Sequence, residues 1–460
     1  MLHMPFFNRT YELEKLSRAL GRDRRQLIIV YGRRRIGKST LLLRQLDGKG
    51  VYYQASRATE VLQRDQFTTA LSKRLPVLSG ARFDDWDSLL NAVIAATHER
   101  FTLVIDELPY LVESAPALPS FLQRLVDRRE QLPFDLILCG SSQQMMRSLI
   151  LSATAPLYGR ADEILKIAPL PAGWLVEGFP HLTAAERVRE YATWGGIPRY
   201  WELRQQYDTY DEAVRELVLQ PTGILHEEPN RLLLEDLRTI QLSASIINYV
   251  ANGAHRLSEI AGRLQRPATD LARPLQRLIE MGYLYRERPY GVPSKNNKKS
   301  LYKIADPFMR FHYHFVAPNL SELRPNRIPS AWNRLRTTLP NFIAAPWEQL
   351  CASSVATAPP YMDEFRQPAR WWGTGTARKP MEIDLVSESH DGKRLLVGEC
   401  KWSDVTNAAQ LREQLIAKAK QLPFYNEHIV EAFIFGRSFQ QPDLPDYCWT
   451  PERVLSYLHY

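Results

Sequence analysis

The feature that most constrains this 460-residue sequence is a loop of glycine and arginine residues between a short apolar run and a helical segment. The apolar run is residues 27–31, and the loop reads Gly32-Arg33-Arg34-Arg35-Ile36-Gly37-Lys38-Ser39. In a loop of this spacing the glycines let successive backbone N–H groups point at phosphate oxygens, and the N-terminus of the next helix adds its positive end. Its position after a strand and before a helix therefore predicts a P-loop that binds ATP.

Several side chains of this loop have predicted tasks. Lys38 is expected to reach the β- and γ-phosphates, and the Ser39 hydroxyl is expected to hold Mg²⁺. Thr40, the next helical residue, is either a bystander or a contact to the α-phosphate. The loop also carries three consecutive arginines, which are Arg33, Arg34 and Arg35. They either hold nucleotide phosphates, pair with a lid, face a partner subunit or point into solvent.

Further short apolar runs follow the loop and predict the fold class. They lie at residues 51–53, 101–106, 135–140 and 164–170, and helical stretches separate them. Strands that alternate with helices indicate a parallel sheet with helices on both faces. Residues 1–172 are therefore predicted to form an α/β P-loop ATPase domain.

The rest of the chain divides by pattern into three parts. Residues 173–237 are mainly helical and have the size of a lid, and residues 238–305 contain three helices followed by two strands around a polar loop. That order is typical of a winged helix-turn-helix. Residues 306–460 are predicted to be bridging helices followed by a last α/β unit, with a helix near residue 348 and strands at 381–387, 395–400 and 430–435.

Composition and cysteine spacing exclude several classes of protein. Apolar residues make up 45% and charged residues 24%, which is ordinary for a globular chain. A net charge of +8 is compatible with a nucleic-acid partner without establishing one. The four cysteines, Cys139, Cys351, Cys400 and Cys448, have no paired short spacing, so neither a disulfide framework nor a zinc site is indicated. Without a signal-peptide pattern or a long apolar run, we predict a cytoplasmic protein with no membrane partner.

A P-loop also needs acids for the metal and for water. The apolar run at 101–106 ends in Asp106, which is expected to bind Mg²⁺ through water, and Glu107 is expected to orient or deprotonate the attacking water. The run at 135–140 is followed by polar residues that could sense the γ-phosphate. Ser142 is favoured for this task, with Ser141 and Gln143 as alternatives.

Arg160 is a candidate for a different part of the same reaction. It follows a glycine near the end of the predicted ATPase domain. It is either an arginine finger that acts in cis or in trans on the transferring phosphoryl group, or a structural surface arginine.

These motifs together resemble a known family. Residues 6–235 resemble the archaeal-type ATPases of the AAA+/STAND region of P-loop proteins, through the strings YGRRRIGKST, VIDELPYL, LILCGSSQQMM, PLYGRADEI and WGGIPRY. The resemblance implies that the segment before the first strand lies against the adenine, so that Phe7, Arg9 and Leu13 become candidates for the base and ribose edge. Ser39 stands where many relatives have threonine, and either hydroxyl can bind Mg²⁺.

A second group of chemical residues lies near the C-terminus. Two predicted strands joined by a hairpin place Asp384 beside Glu399, and the two-residue period puts Lys401 on the same face as Glu399. With Glu348 on the preceding helix, these residues are predicted to hold a second Mg²⁺ or Mn²⁺ and activate water for phosphodiester cleavage. The pattern resembles the PD-(D/E)XK nuclease core, and residues 305–460 resemble the uncharacterised C-terminal domain that accompanies this ATPase family. The alternative is a structural ion pair between Glu399 and Lys401.

The predicted winged helix carries basic residues in two places. Arg273 and Arg277 lie on its third helix, and the loop between its strands carries Lys295, Lys298 and Lys299. A recognition helix in a groove with a basic wing on phosphates predicts DNA binding. The alternatives are a protein-docking or lid module, and a loop that is simply solvated.

Two functional hypotheses follow. The first is an ATPase whose nucleotide state controls a DNA-binding winged helix and a metal-dependent nuclease-like domain. The second is a STAND-like switch whose C-terminal domain is a non-cleaving interaction module, with a transcription regulator as a third possibility. The sequence leaves open whether the protein is a monomer, a dimer or a ring.

Overall fold

The computed structural model describes residues 6–150, 155–236, 240–293, 299–324, 327–441 and 443–460. The chain forms two compact units. The first spans Asn8–Pro169, and the second spans Leu170–Tyr460 together with the short segment that ends at Phe7.

The first unit is built on a five-stranded parallel sheet. Its strands are β1 Leu27–Tyr31, β2 Val51–Gln54, β3 Phe101–Asp106, β4 Phe134–Gly140 and β5 Glu163–Lys166. Its helices are α1 Thr10–Leu20, α2 Lys38–Leu46, α3 Glu60–Ser72, α4 Trp86–Ala96, α5 Leu108–Ser114, α6 Leu118–Asp127 and α7 Gln143–Ile150. All five strands coincide with predicted apolar runs, which confirms the α/β class of this unit.

The strand order of this sheet is β2-β3-β4-β1-β5, so β4 lies between the strand of the P-loop and the strand of the acid pair. Every residue of β4 is buried, since helices cover both faces of a parallel sheet. The carboxyl ends of parallel strands share one edge, which brings the segments after β1, β3 and β4 together there.

The second unit begins with short helices and continues into three helices and a two-stranded sheet. Its first part contains α8 Leu175–Gly178, α9 Ala184–Trp194, α10 Pro198–Arg204, α11 Tyr210–Val214 and α12 Glu228–Asp236. Its second part contains α13 Gln241–Ala251, α14 Leu257–Leu264, α15 Ala268–Glu280 and the antiparallel strands β6 Leu284–Glu287 and β7 Leu301–Ile304. The order of elements over 238–305 is the predicted one.

The C-terminal part of this unit is a mixed sheet with helices around it. Its helices are α16 Pro307–Phe311, α17 Ile328–Leu335, α18 Leu339–Thr357, α19 Tyr361–Glu364, α20 Ala408–Ala419 and α21 Pro451–Ser456. Its strands are β8 Ala369–Thr374, β9 Pro380–Glu388, β10 Arg394–Val405, β11 Ile429–Phe439 and β12 Cys448–Trp449, in the order β12-β11-β10-β9-β8. Strands β8, β9 and β10 pair antiparallel, whereas β10 and β11 pair parallel.

Aromatic contacts join the first part of the second unit, residues 173–237, to its C-terminal part, residues 306–460. Trp194 of α9 stacks on Phe308 of α16 with ring centroids 6.2 Å apart, and Trp174 lies 4.1 Å from the ring of His459. Large aromatic side chains bury much area per residue, which accounts for the association of segments that are distant in sequence. Among the helices of the described residues, none combines the length and the apolar character needed to span a membrane.

Candidate nucleotide site and C-terminal carboxylate cluster

The P-loop curls as its spacing predicts. Gly37 (φ 88°) and Arg35 (φ 67°) adopt left-handed backbone conformations, and Gly37 caps the N-terminus of α2. A side chain at Gly32 would lie 2.5 Å from the Ile167 carbonyl oxygen, so only glycine fits there. Lys38 is buried, and its Nζ donates to the Arg33 carbonyl oxygen at 3.0 Å. The lysine is thus held within the loop that would surround the phosphates.

Asp106 at the end of β3 is held by hydroxyl groups. Its Oδ2 accepts hydrogen bonds from the Ser39 hydroxyl at 2.6 Å and the Tyr52 hydroxyl at 2.5 Å, and its Oδ1 accepts one from the Glu107 N–H at 2.8 Å. Burial raises the pKa of Asp106, but hydrogen bonds from Cys139, Ser39 and Tyr52 outweigh it and leave the pKa below its ordinary value. The carboxylate therefore stays ionised beside the predicted magnesium ligand Ser39.

Glu107 lies in a left-handed conformation (φ 52°) at the start of α5. Its carboxylate accepts hydrogen bonds from the Ser141 hydroxyl at 2.9 and 2.7 Å and from the Ser141 N–H at 3.2 Å. Ser142, which the sequence favoured as the sensor, instead caps α7, where its hydroxyl and carbonyl oxygens accept from Met145 and Met146. The alternative Ser141 is the serine that reaches the acid pair, and the side chain of Gln143 lies outside the described residues.

The arginines of the ATPase unit have different partners. Arg34 donates a hydrogen bond to the Tyr110 hydroxyl, and its guanidinium carbon lies 5.7 Å from the centre of that ring. Arg160 forms a two-pronged ion pair with Asp127, at 2.8 and 3.2 Å. This pair matches the structural alternative that the sequence left open for Arg160.

Arg9 and Phe7 lie in different surroundings. Arg9 is buried, and one of its terminal nitrogens donates to the carbonyl oxygens of Ile36 at 3.1 Å and Ala168 at 2.8 Å. Arg9 therefore supports the P-loop backbone, and its place against the base or ribose stays a prediction. Phe7 belongs to the second unit, where it packs on Trp201 with ring centroids 6.2 Å apart.

Two residues predicted near the nucleotide make no specific contribution to this geometry. Leu13 is half-buried on α1, where its N–H bonds to the Arg9 carbonyl oxygen. Thr40 is exposed on the first turn of α2, which agrees with a bystander.

In the C-terminal cluster, Glu399 is paired with two lysines. Its carboxylate accepts from Lys401 Nζ at 2.6 Å, as the strand period predicts, and from Lys418 Nζ of α20 at 3.3 Å. Burial raises the pKa of Glu399, but the two lysines outweigh it and bring the pKa below its ordinary value. Because both lysines are bound to it, the negative charge of Glu399 is compensated within the protein.

Asp384 lies where β9 bulges. Ala369 pairs with Val386 and Trp371 with Ile383, so β9 carries one residue more than β8 over this stretch. The Asp384 carboxylate accepts a hydrogen bond from the Cys400 N–H at 2.8 Å, and burial together with the charge of Glu399 raises its pKa.

Glu348 approaches Asp384 from the other face of the sheet. It lies on α18, whose Trp347 packs on Trp402 of β10 at 5.3 Å, whereas Glu399 faces Lys418 of α20. Burial and the charge of Asp384 raise the pKa of Glu348 to about 7. Asp384 therefore has one acidic neighbour on each side.

The metal-ligand set of Glu348, Asp384 and Glu399 stays a prediction. Across the described ranges, no group of three or more His, Cys, Asp and Glu side chains is close enough to hold a metal ion. The helix of Glu348 and the helix of Lys418 lie on opposite faces of β10.

The hairpin of β6 and β7 contacts the same cluster. Tyr285 accepts a hydrogen bond from Gln349, next to Glu348 on α18, and Glu287 lies 3.6 Å from Arg370 of β8. The Tyr290 N–H also bonds to the Arg370 carbonyl oxygen at 2.9 Å. Within the second unit the hairpin and the carboxylate cluster are thus packed together.

The basic residues proposed for DNA lie partly within the described structure. Arg273 is exposed on α15, Arg277 is half-exposed on the same helix, and Lys299 is exposed before β7. Lys295 and Lys298 lie outside the described residues.

Several partners of the site residues have no motif of their own in the sequence. Tyr52, Tyr110 and Lys418 are each brought to the site by a different element. Tyr52 carries a weak signal, because it lies within an apolar run whose strand pairs with β3, but nothing in the sequence marks its hydroxyl.

A P-loop on a parallel sheet, with the buried Asp106 and the half-buried Glu107 at the end of a neighbouring strand, defines a P-loop ATPase domain. Residues 6–202 match the family described as an ATPase domain predominantly from Archaea, and residues 312–413 match archaeal and bacterial proteins of unknown function. An uncharacterised protein of Methanocaldococcus jannaschii is 30% identical over 409 residues, which cover 87% of this chain and 88% of that protein. The chain therefore belongs to this family of archaeal-type ATPases, which joins the ATPase domain to a C-terminal domain of unknown function.

Other similarities are more distant or shorter. An uncharacterised ATP-binding protein of the same organism is 46% identical over 46 residues, which cover 10% of this chain and 78% of that protein. The ORC2 protein of Aeropyrum pernix has 14% identity and a TM-score of 0.36, and covers 74% of this chain and 97% of its own. The ORC1 protein of the same organism, solved in complex with DNA, has 15% identity and a TM-score of 0.32. The match covers 70% of this chain and 95% of that protein.

Proposed function

We propose that the first unit hydrolyses ATP with Mg²⁺ held by the Ser39 hydroxyl and, through water, by Asp106. The observation that carries this proposal is the hydrogen-bonded set in which Ser39 meets Asp106 and Ser141 meets Glu107 at one sheet edge. An ionised carboxylate and a hydroxyl are oxygen ligands of the kind that Mg²⁺ prefers. When bound, the ion would supply positive charge that stabilises the negative charge developing on the phosphate oxygens.

Lys38 and Glu107 have different roles in the proposed reaction. Lys38 exchanges its bond to the Arg33 carbonyl oxygen for phosphate oxygens, a stronger charge-assisted contact. Glu107 accepts a hydrogen bond from the attacking water, and Ser141 fixes the orientation of that carboxylate.

Two variants test this proposal. Lys38→Ala is expected to lose ATP binding, whereas Glu107→Gln is expected to bind ATP and to release phosphate at least about 100-fold more slowly, because the base is removed. Lys73→Ala, an exposed lysine at the end of α3, is the matched control. Undiminished turnover in Glu107→Gln would contradict the assignment of the base.

We further propose that α13–α15 with β6 and β7 form a winged helix that binds DNA. Support comes from the exposed face of α15, where Arg273 and Gln276 follow Thr269 at helical spacing, and from the exposed Lys299. Arginine and lysine side chains that reach phosphates release counterions, so binding of this kind weakens as salt rises.

Fluorescence anisotropy with a labelled duplex tests the DNA proposal. Arg273→Ala is expected to weaken binding by about 10-fold and to reduce the slope of log K against log salt by about 1. Arg324→Ala, an exposed arginine elsewhere in the second unit, is the control. Equal salt slopes for wild type and Arg273→Ala would remove α15 from the interface.

Metal-dependent phosphodiester cleavage is a second candidate function, for the C-terminal domain. Support comes from the order α18-α19-β8-β9-β10-α20-β11, with Asp384 on the bulge and Glu399 and Lys401 on the next strand. A nuclease assay with Mg²⁺ or Mn²⁺, with and without ATP, compares wild type with Lys401→Ala. If wild type leaves all tested DNA and RNA intact, the domain is an interaction module of an ATP-dependent switch instead.

A further inference from the structure

A cavity of about 350 Å³ lies within the second unit. Its walls come from α9, α11, the segment between α17 and α18, the start of α18, and the strands β10 and β11. Three of its lining residues are arginines, namely Arg189, Arg336 and Arg437. The volume falls within the range of small-molecule sites, which is about 300–1,000 Å³. The cavity therefore combines the size of a ligand site with three cationic side chains.

The cavity lies on the opposite face of β10 from the lysine pair of the carboxylate cluster. Trp402 lines it and packs on Trp347 of α18, with ring centroids 5.3 Å apart. Lys401, the preceding residue, bonds to Glu399 on the side of α20. The register of β10 against β11 also shifts between Lys401 and Asp404, a bulge of the kind that is common beside functional sites. The cavity is therefore separate from the ion pairs of Glu399.

Arg189 carries a buried donor with no acceptor. Its Nε is buried and has no hydrogen-bond partner among the residues that the structure describes. Its ion pair with Glu186 spans 3.9 Å, which is beyond hydrogen-bond distance. The face of the guanidinium lies on the Tyr210 ring, 4.5 Å from its centre, so the N–H groups at the edge stay unused. Buried donors without a partner are rare in folded proteins, so this one indicates where an acceptor atom of a ligand binds.

The other two arginines have spare donors, since a guanidinium carries five N–H groups. Arg336 donates one hydrogen bond, to Asp211 at 2.7 Å. Arg437 donates two, at 3.3 and 2.8 Å, and both go to one oxygen of Asp404. Within the described ranges, the remaining N–H groups of these two guanidinium groups have no protein acceptor. The arginines of the cavity therefore supply more donors than the neighbouring acids accept.

The rest of the lining is largely apolar. Leu339 and Ile343 of α18 are buried, and the indole of Trp402 is half-buried. An indole packs well on another aromatic ring, and aliphatic side chains exclude water around it. A ligand with an acceptor-rich anionic group and an aromatic body would therefore match both parts of the lining.

We propose that this cavity binds a small organic phosphate. The phosphate group accepts hydrogen bonds from the three arginines, and the aromatic body packs on Trp402. A guanidinium matches phosphate oxygens with two parallel N–H groups. A phosphate group offers three acceptor oxygens and a carboxylate offers two, so donors that come from three different elements favour phosphate. The site is independent of ATP hydrolysis, because it contains no residue of the first unit.

Isothermal titration calorimetry of the full chain with phenyl phosphate, without nucleotide or Mg²⁺, tests this proposal. Phenol and inorganic phosphate each carry only one part of that probe, and benzoate replaces its phosphate group with a carboxylate. Wild type is expected to bind phenyl phosphate at least about 10-fold more tightly than any of these three, because only phenyl phosphate meets both parts of the lining. Tighter binding of benzoate, or equal binding of inorganic phosphate, would overturn the assigned ligand class.

Three variants locate the bound probe. Arg189→Met keeps the length of the side chain and is expected to weaken phenyl phosphate binding by about 10-fold. Arg336→Met, at an exposed position where folding is not at risk, is expected to weaken it by about 5-fold. Trp402→Leu is expected to weaken phenyl phosphate by about 5-fold and to leave inorganic phosphate unchanged. Arg199→Met is the matched control, because Arg199 is an exposed arginine of α10 that is paired with Glu202.

The P-loop is the competing site for a phosphate, and Lys38→Ala separates the two. Binding that persists in Lys38→Ala and weakens in Arg189→Met and Arg336→Met supports the cavity. Binding that is lost in Lys38→Ala and unchanged in both arginine variants would overturn the proposal, as would wild type that binds no phenyl phosphate at millimolar concentration. If Arg189→Met fails to fold, as thermal unfolding would show, Arg336→Met decides.

Discussion

Each unit gathers carboxylates and lysine side chains, but the two units hold the carboxylates in opposite ways. In the ATPase unit, hydroxyl groups hold the acids, since Ser39 and Tyr52 bond to Asp106 and Ser141 bonds to Glu107. In the C-terminal cluster, lysines hold Glu399, while Asp384 lies between that residue and Glu348. The pKa of Asp106 is lowered, whereas the pKa of Asp384 is raised.

This difference shows that the residue types of a motif do not fix its electrostatics. A hydroxyl orients a carboxylate and leaves its negative charge available for a cation, whereas a lysine cancels that charge. In the ATPase unit, Asp106 is ionised and lies beside the Ser39 hydroxyl, which is the arrangement proposed to hold Mg²⁺. In the C-terminal cluster, a lysine must leave Glu399 or a carboxyl group must change its protonation state before a cation binds. The contrast between hydroxyl-bonded and lysine-paired carboxylates can be tested by experiment.

The largest effect is expected from removal of both lysines. Glu399 is largely buried, and the double variant Lys401→Met and Lys418→Met removes both cations that compensate its charge. The free energy of unfolding should therefore fall by about 3 kcal/mol. Millimolar Mn²⁺ should recover part of the loss in this variant and none in wild type. Urea denaturation followed by tryptophan fluorescence measures both.

Lys420→Met, an exposed lysine at the end of the same helix, is the control for that pair. If the double variant unfolds at the same urea concentration as wild type, the lysines do not compensate Glu399 and the contrast between the two sites is lost.

The second-largest effect is expected in the pH dependence of the free energy of unfolding, through the ionisation of Glu348. Because its folded pKa is raised to about 7, the folded state disfavours ionisation of Glu348, and stability is lost as pH rises from the ordinary pKa to that value. The free energy of unfolding of wild type should fall by on the order of 2 kcal/mol between pH 5 and pH 8, after allowance for the partial exposure of this group. That of Glu348→Gln should not fall over this range.

Unfolding midpoints in urea at the two pH values provide the measurement. Glu413→Gln on the exposed side of α20 is the control and should follow wild type. A Glu348→Gln profile parallel to that of wild type would mean that Glu348 ionises normally beside Asp384.

A smaller effect distinguishes the two serines after β4. Ser141→Ala removes the hydroxyl that orients Glu107, so kcat for ATP should fall by about 10-fold with KM little changed, the cost of about one hydrogen bond. Ser142→Ala removes only a helix cap and should leave kcat within about 2-fold. The reverse ranking in steady-state assays would return the sensor role to Ser142.

The smallest effect is expected at Tyr52. Tyr52→Phe removes one of the hydrogen bonds that hold Asp106, so the Mg²⁺ concentration for half-maximal turnover should rise by about 3-fold, less than 1 kcal/mol. Tyr158→Phe, an exposed tyrosine of the same unit, is the control. An unchanged Mg²⁺ dependence would show that Ser39 and the Glu107 N–H suffice to orient the carboxylate.

Much of the fold was predictable because it depends on local pattern. The apolar runs at 27–31 and 101–106 are strands with those same bounds, and the helix 257–264 begins and ends with its apolar period. Glu399 and Lys401 share a face because the strand period is two. Such features depend on residues that are close together in the sequence, so they do not depend on how distant segments pack.

The contacts that decide chemistry were less predictable, because they join distant segments. Arg9 donates hydrogen bonds to the carbonyl oxygens of Ile36 and Ala168, which are far from it in the chain. Glu348 lies on α18, which packs on the face of β10 opposite Lys418. Local spacing predicts neither of these arrangements.

The sequence by itself determined the P-loop, the acid pair and the α/β character of the first unit, since each follows from residue spacing and apolar period. Only the tertiary structure decided that Ser141 rather than Ser142 meets Glu107, and that Tyr110 holds Arg34. The physical reason is that strand order, register and helix placement set distances between segments, and a few ångströms decide which side chains form hydrogen bonds.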